Sequence, residues 1–385
     1  MPYKILKYFI LGAVSFFVCC HPSTDNDTAT ISTKKKDSNI KYAKRFAISR
    51  SKNGTFIYLF GNKTNFDTTA TYLIYNDPAV IKNIPKTIIP VKSPCKRIAA
   101  LSSIYANMFC ELGLINNIVA IDNGDYFNNP NIIERLHSNQ LLELAKGIEL
   151  DLEQTIKLNP DIVFTFGMGD PKKDVNPKLI LTNIPVAISL DHAEETPLAR
   201  AEWIKFFAAF VNKNEMADSI FKQVEKKYNE LQSLAQKTKT KPTVFTDIKY
   251  SDSWYIPGGK SYLAKFLTDA GANYIWKEDL NTGSVPLNFE QVYAKAKNAD
   301  FWINPSLLKT KKELLGFDSR YIEFNAFKTG AIYNNTKVTN KKGYSTYWET
   351  GMIHPDRILH DLILIFHPEI KELIKNDLYY YEQLK

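Results

Sequence analysis

Cysteine is scarce, at four in 385 residues, and two of the four, Cys19 and Cys20, adjoin each other near the N-terminus. The remaining pair, Cys95 and Cys110, is too few for a disulfide framework, although one bond between them is permitted. After the N-terminal run no segment approaches the eighteen or so apolar residues that cross a bilayer, so no spanning helix is expected in the body. Dense Arg/Lys clusters interleaved with aromatics are also missing. The net charge of +8 comes from lysines spread along the chain, which argues against nucleic acid as a partner and allows a mild attraction to anionic lipid or ligand. Catalytic signatures are absent too: there is no G-x-S-x-G, no H-E-x-x-H and no pair of Cys-x-x-Cys motifs. "PGGKS" (257–261) falls short of a phosphate loop because Trp254 stands where the first glycine must be. His354, His360 and His367 do not have the spacing of a compact zinc motif and are expected to be structural. No resident metal or cofactor is expected.

What is present begins at the N-terminus. Lys4 and Lys7 precede the apolar run Tyr8 to Val18, which ends at Cys19-Cys20. The run is too short to span a membrane and resembles a bacterial lipoprotein signal, with Cys20 as the lipidated residue because Cys19 is small; Phe17 departs from the usual leucine. The Ser/Thr/Asp/Lys-rich stretch that follows buries nothing and reads as a tether. Residues 1–20 are therefore expected to be signal and attachment site, and 21–41 a flexible tether to the outer face of a membrane.

The folded body carries a repeat. "LDLEQTIKLNPDIVF" (150–164) returns as "LNFEQVYAKAKNADFWI" (287–303). In each copy an Asx residue, Asp151 or Asn288, can cap a helix, with Gln154 or Gln291 three residues on. Each helix carries a first-turn glutamate, Glu153 or Glu290, and leads through a polar turn into a buried strand. Either glutamate alone is explained by the helix dipole; two at matched positions ask for more. "RIAALSSIYANMFCELGLINNIVAID" gives a strand, a helix ending at Gly113 and a second strand, the βαβ mark of a parallel sheet. "FAISRSKNGTFIYLF" reads as a hairpin about Asn53-Gly54. Thr196 and Pro197 open a helix expected to run to Val211, and a second helix carries Ala217, Ile220, Phe221, Val224, Tyr228 and Leu231 on one stripe. The repeat thus marks two α/β lobes with helices between them. Loop aromatics (Tyr105, Tyr126, Phe127, Trp254, Tyr255, Tyr344 and Trp348) are candidates to line a cleft for a large, partly apolar ligand. His192, at the end of a strand beside Asp191, is another candidate.

From Arg97 to His367 the chain resembles the substrate-binding proteins of ABC importers for iron-siderophores, haem and vitamin B12. The resemblance rests on the βαβ block above, "LEQTIKLNPDIVF", "TPLARAEWIKFFAAF", "WYIPGGKSYLAKFLTDAGAN", "GSVPLNFEQVYAKAKNADFWIN" and "HPDRILHDLILIFHPE". It implies an α/β fold of two Rossmann-like lobes joined by a single long helix, with the ligand cleft between them. The β-rich stretch 42–95 has no counterpart and is an N-terminal addition. The implied organisation is an N-terminal lobe over 42–196, a bridging helix over 197–212 and a C-terminal lobe over 213–385. Glu153 and Glu290 match the glutamates that in this family dock into arginine pockets of the permease dimer, which works with its ATPase.

The expected function is capture of a metal chelate by a lipid-anchored monomer on the periplasmic side of a membrane, with no bond made or broken. A ferric siderophore leads. Arg320 and the basic surface favour an anionic iron chelate, Trp254 and Trp348 a corrin or porphyrin face, and Tyr126 could ligate haem iron. The rivals are a chelatase-like enzyme using His192 as base or ligand, and a chelate-sensing lipoprotein. "SSIYANMF" departs from the family's usual first turn and puts Tyr105 and its neighbours in question.

Overall fold

The computed structural model describes residues 40–385 apart from residue 53, 62–67, 147–148, 171–173, 176 and 375–376; the expected signal, Cys20 and most of the tether lie outside the described residues. Two hydrophobic cores organise the body. The first surrounds a five-stranded parallel sheet in the order Val186–Ser189, Ile162–Phe166, Ile98–Ala100, Ile118–Ile121, Leu142–Glu143. The second surrounds the sheet Asn273–Tyr274, Thr243–Thr246, Phe301–Ile303, Ile332–Asn334, Glu382–Gln383, in which only the last strand is antiparallel. In both sheets the lobe's first strand is internal and the chain winds outward to either side of it, the doubly wound pattern whose crevice lies outside the carboxyl ends of the strands at the reversal point.

The repeated motif builds that reversal point in each lobe. Asp151 accepts the Gln154 amide at 3.1 Å to start the helix Leu152–Leu158. Asn288 and Gln291 form a complete capping box before the helix Phe289–Ala296. The strands that follow, Ile162–Phe166 and Phe301–Ile303, both pair directly with their lobe's first strand. The aspartates that open them are equivalent as well: Asp161 Oδ2 accepts from the Lys96 and Arg97 amides at 2.7 and 3.0 Å, and Asp300 Oδ2 accepts from the Thr243 amide at 2.7 Å. In both lobes, then, the repeat pins its own strand to the foot of the neighbouring one.

Between the lobes the structure departs from the expected single helix over 197–211. Thr196 caps as expected, but the segment is two short helices, Pro197–Ala201 and Ile204–Phe210. The break falls where Glu202 and Trp203 turn their side chains to partners elsewhere in the chain. The helix that links the lobes is the next one, Asn214–Gln236, 23 residues or about 34 Å at ~1.5 Å per residue. Its Ala217 and Phe221 belong to the first core, and its Tyr228 and Ala235 to the second.

The β-rich addition is a four-stranded sheet, Phe46–Ser51, Gly54–Phe60, Thr68–Tyr75 and Ile88–Lys92, with the expected hairpin in register Ser51 to Gly54. Its inner face, including Phe46, Ile57, Leu59 and Tyr72, joins the first core. Just before it, five successive residues are held by two buried carboxylates. Glu202 accepts from the amides of Lys41, Tyr42 and Ala43 at 2.8, 2.7 and 2.9 Å. Glu194 accepts from those of Lys44 and Arg45 at 3.0 and 2.9 Å. Cys95 and Cys110 are both free thiols, so the permitted disulfide is not formed.

Candidate functional site: the cleft between the lobes

The carboxyl ends of the two sheets face each other. From the first lobe come the turn Ser102-Ser103 that caps the helix Ser103–Glu111, the loop 122–129, the residues Phe166 to Gly169 and the turn Asp191–Ala193. From the second come Asp247, residues 304–306 and the segment 335–352. At the second lobe's reversal point Asp247, Asn304 and Ser306 all have positive φ, of 64°, 59° and 61°. Three non-glycine residues in the left-handed region at the ends of adjacent strands are strained backbone of the kind that collects at ligand sites.

At the base lies a cavity of about 30 Å³, bounded by Ile104, Arg200, Tyr262, Tyr347, Trp348 and Met352 among others. Arg200 projects from the first short connecting helix. Its Nη2 donates to Asp191 Oδ2 at 3.0 Å, and its guanidinium lies 4.4 Å from the Tyr262 ring centroid. Asp191 is oriented in turn by Ser189 Oγ at 2.8 Å and by the Tyr105 hydroxyl at 3.3 Å. Arg200 Nε is buried without a hydrogen-bond partner.

One edge of the cleft is bridged. Glu349, 2% exposed, accepts from Asn107 Nδ2 at 3.0 Å and from the amides of Asn128 and Asn129 at 2.8 and 3.1 Å, all on the opposite lobe. Asn340 Nδ2 donates back to the carbonyls of Asp125 and Phe127 at 2.7 and 3.1 Å. His354 and Glu111 meet across the same junction at 3.0 Å.

The expected site residues divide accordingly. Tyr344 and Trp348 are exposed on the cleft segment, and Tyr126 meets Tyr344 edge to face with centroids 4.8 Å apart. His192 sits in the turn after the strand Val186–Ser189, with its imidazolium disfavoured by partial burial. Four expectations are corrected. Trp254 is fully buried, donates Nε1 to the Thr246 carbonyl at 2.9 Å and packs on Trp302, so it is core. Phe127 is 1% exposed and belongs to the first core. Tyr105 is buried against Phe207 and acts through Asp191 rather than on the surface. Arg320 is not a cleft cation: it binds Asp318 and Glu290 and lies 3.7 Å from the Phe289 ring centroid. Tyr255 is exposed on the strand Ser253–Pro257, within a separate three-stranded sheet, and does not line the basal cavity.

Glu153 and Glu290 are exposed in the first turns of the repeated helices. Glu290 is paired with Arg320 at 3.1 Å. In "PGGKS" a Cβ on Gly258 would lie 2.2 Å from the Asn281 carbonyl oxygen, and one on Gly259 2.4 Å from that of Asp279. Backbone oxygens thus crowd the turn where a phosphate would have to sit. His360 and His367 are buried and hydrogen bonded, and no cluster of metal-ligating side chains occurs among the described residues. Phe166 and Met168, 59% and 65% exposed at the first lobe's reversal point, were not expected. The signal for them is "FGMG", in which an apolar residue interrupts a glycine turn directly after a buried strand.

Residues 98–338 match the family of periplasmic binding proteins. A lipoprotein of Methanocaldococcus jannaschii is 30% identical over 312 residues, covering 77% of this chain and 75% of that one. A second lipoprotein of the same organism is 29% identical over 247 residues, where the match covers 63% of this chain and 56% of the relative, little more than half its length. Among solved structures, the periplasmic heme-binding protein RhuT from Roseiflexus sp. RS-1 aligns with TM-score 0.57 at 18% identity, over 72% of this chain and all of that one. The vitamin B12 binding protein BtuF of Vibrio cholerae aligns with TM-score 0.53 at 14% identity, over 72% and 99%. The chain belongs to the periplasmic binding protein family, with that family's two-lobed fold. No helix among the described residues is long and apolar enough to cross a membrane.

Proposed function

We propose that this protein is the lipid-anchored substrate-binding component of an ABC importer, taking a metal chelate between its lobes and passing it to a permease dimer driven by its ATPase. The observation that carries the reading is the pair of opposed reversal points. Phe166 and Met168 at the first lobe's reversal point, and Trp348 and Tyr344 on the cleft segment of the second, are large and exposed, the kind of surface that suits a bulky, ring-rich ligand. A ferric siderophore is the leading cargo, with cobalamin and haem as alternatives; the protein acts as a monomer and changes no bond in the cargo.

Glu153 and Glu290 are the docking residues in this reading. Both project from the first turn of the helix that feeds its lobe's reversal-point strand, so both stand at equivalent places beside the crevice. Exposed carboxylates of this kind form bidentate bonds with arginine. Because Arg320 already holds Glu290 in a solvent-screened pair, an arginine of the permease would take its place.

Titrating the detergent-solubilised full chain with ferric siderophores, cobalamin and haem, with tryptophan fluorescence as readout, identifies the cargo by saturable quenching. Glu153→Ala/Glu290→Ala is expected to bind that cargo normally and to lose uptake in cells. Normal uptake by the double variant would refute the docking role.

A further inference from the structure

In the second lobe the adjacent parallel strands Phe301–Ile303 and Ile332–Asn334 release their following loops side by side at the carboxyl end of the sheet. Asn334, fully buried, ties the first loop down by donating Nδ2 to the carbonyls of Ser306 and Leu308 at 2.8 and 2.7 Å. Lys309 Nζ donates to Thr339 Oγ1 at 2.9 Å and joins the first loop to the second. Two segments distant in sequence thus form one surface.

That surface gathers charge which the sequence disperses. Residues 304–312 and 335–343 hold six lysines and no acidic residue, against a net +8 for the whole chain. Lys311 lies over the Phe327 ring at 4.5 Å, but Lys309, Lys312, Lys337, Lys341 and Lys342 are exposed. Three carboxylates border the patch. Glu313 accepts from the amides of Lys309 and Thr310 at 2.8 and 3.0 Å, Glu143 accepts from the Gly124 amide, and Asp125 meets Lys342 in an exposed, water-screened pair at 3.5 Å. The lysines remain in excess. Among them stand Leu307 and Val338, 50% and 46% exposed.

Lysines are point charges on flexible stems and, spread over two loops, build no fork for a single carboxylate or phosphate. Set around exposed aliphatic side chains, they suit an extended anionic surface with an apolar layer beneath it, the interface of a bilayer. The fold also sets where the patch faces. A helix that feeds a parallel strand starts at the carboxyl end of the sheet, so Glu290, the mouth of the cleft and both loops lie on one side of the lobe. In the importer reading that side is turned to the permease, and hence to the bilayer around it.

We propose that the loops 304–312 and 335–343 form a docking surface for anionic lipid headgroups, with Leu307 and Val338 entering the interface, so that the second lobe rests on the membrane beside the permease. The inference rests on the membrane-anchored reading of the protein and adds to it a second, electrostatic contact.

The test reconstitutes the full chain on vesicles of phosphatidylcholine alone and of phosphatidylcholine and phosphatidylglycerol in equal parts, and follows amide hydrogen exchange by mass spectrometry. Exchange in 304–312 and 335–343 is expected to slow about 10-fold or more on the anionic vesicles, which two lysines at the surface suffice to give. It returns to the neutral-vesicle rate at ~1 M salt, where the Debye length falls to ~3 Å. Lys312→Glu/Lys341→Glu is expected to abolish the protection, whereas the same reversal at Lys222 and Lys226, exposed on the long helix, leaves it in place. Equal exchange on the two vesicle types overturns the proposal and assigns the lysines to an acidic partner protein; protection lost alike in both double variants overturns it in favour of net charge alone. Cargo titration is read separately. Unprotected loops in a protein that binds its cargo refute the lipid contact alone, and protected loops in a protein that binds none refute the cargo reading alone.

Discussion

Asp247 ends the first strand of the second lobe with a left-handed backbone and a carboxyl group that burial raises to about 7, against a lowering hydrogen bond from Thr246 Oγ1 at 2.6 Å. In the unfolded chain it titrates near the ordinary value of about 3.9. The folded state therefore holds this proton more tightly. The resulting contribution to stability is fully present below about pH 4 and is lost as pH rises through about 7. Asp247→Asn removes the charge that burial penalises. It is expected to raise unfolding stability at pH 8 by ~1–3 kcal/mol, the scale of a poorly compensated buried polar group, with little gain at pH 4. Urea unfolding at the two pH values checks this, and an equal effect at both would refute it. At this scale the sequence was partly legible. Caps such as Asp151, Asn288 and Thr196 were readable because a cap and its amide lie within three residues. Trp254 was misjudged because its polar neighbours suggested a loop, whereas the strand Ser253–Pro257 turns it onto Trp302, Tyr321 and Phe324, which lie far along the chain.

Among the elements, the connecting segment shows where reading by periodicity stops. Leu198, Ala201, Ile204, Phe207, Ala208 and Val211 do fall at helical spacing, and five of them join the first core. The break comes from Glu202, whose three amide donors lie about 160 positions earlier, and from Trp203, which donates Nε1 to Glu194 at 3.1 Å. Such partners leave no local trace. The arrangement makes Glu202 the clasp of the segment 41–43, with Lys205 Nζ at 3.1 Å balancing its charge. Glu202→Gln replaces one acceptor oxygen by a donor facing amide donors and leaves Lys205 with less compensation. It is expected to cost ~2–4 kcal/mol and to expose Lys41, Lys44 and Arg45 to trypsin, which limited digestion followed by mass analysis detects. Wild-type resistance at all three sites would show that the clasp is dispensable.

For the molecule as a whole, the lobes are coupled by the long helix Asn214–Gln236 and by the bridge around Glu349. The two-lobed design was legible because the repeat writes one reversal point per lobe, and the opening aspartates Asp161 and Asp300 repeat even the strand-pinning bonds. The bridge was not legible, since Glu349 reaches Asn107, Asn128 and Asn129 from more than two hundred positions away. Its buried carboxylate serves two backbone amides that face it from the other lobe, so it closes this edge of the cleft and leaves movement to the remainder. Glu349→Ala strands those amides at a junction where water is their natural substitute, and the least costly response is for the lobes to part there. Hydrogen exchange at the Asn128 and Asn129 amides is expected to accelerate by about 10-fold or more, with the strands of each sheet as slow as in wild type, since opening one junction is a local event. Small-angle scattering on the same variant should show a longer maximum dimension. Exchange at wild-type rates in both amides would mean that the loop 122–129 is held by its own lobe and that the cleft edge does not depend on Glu349.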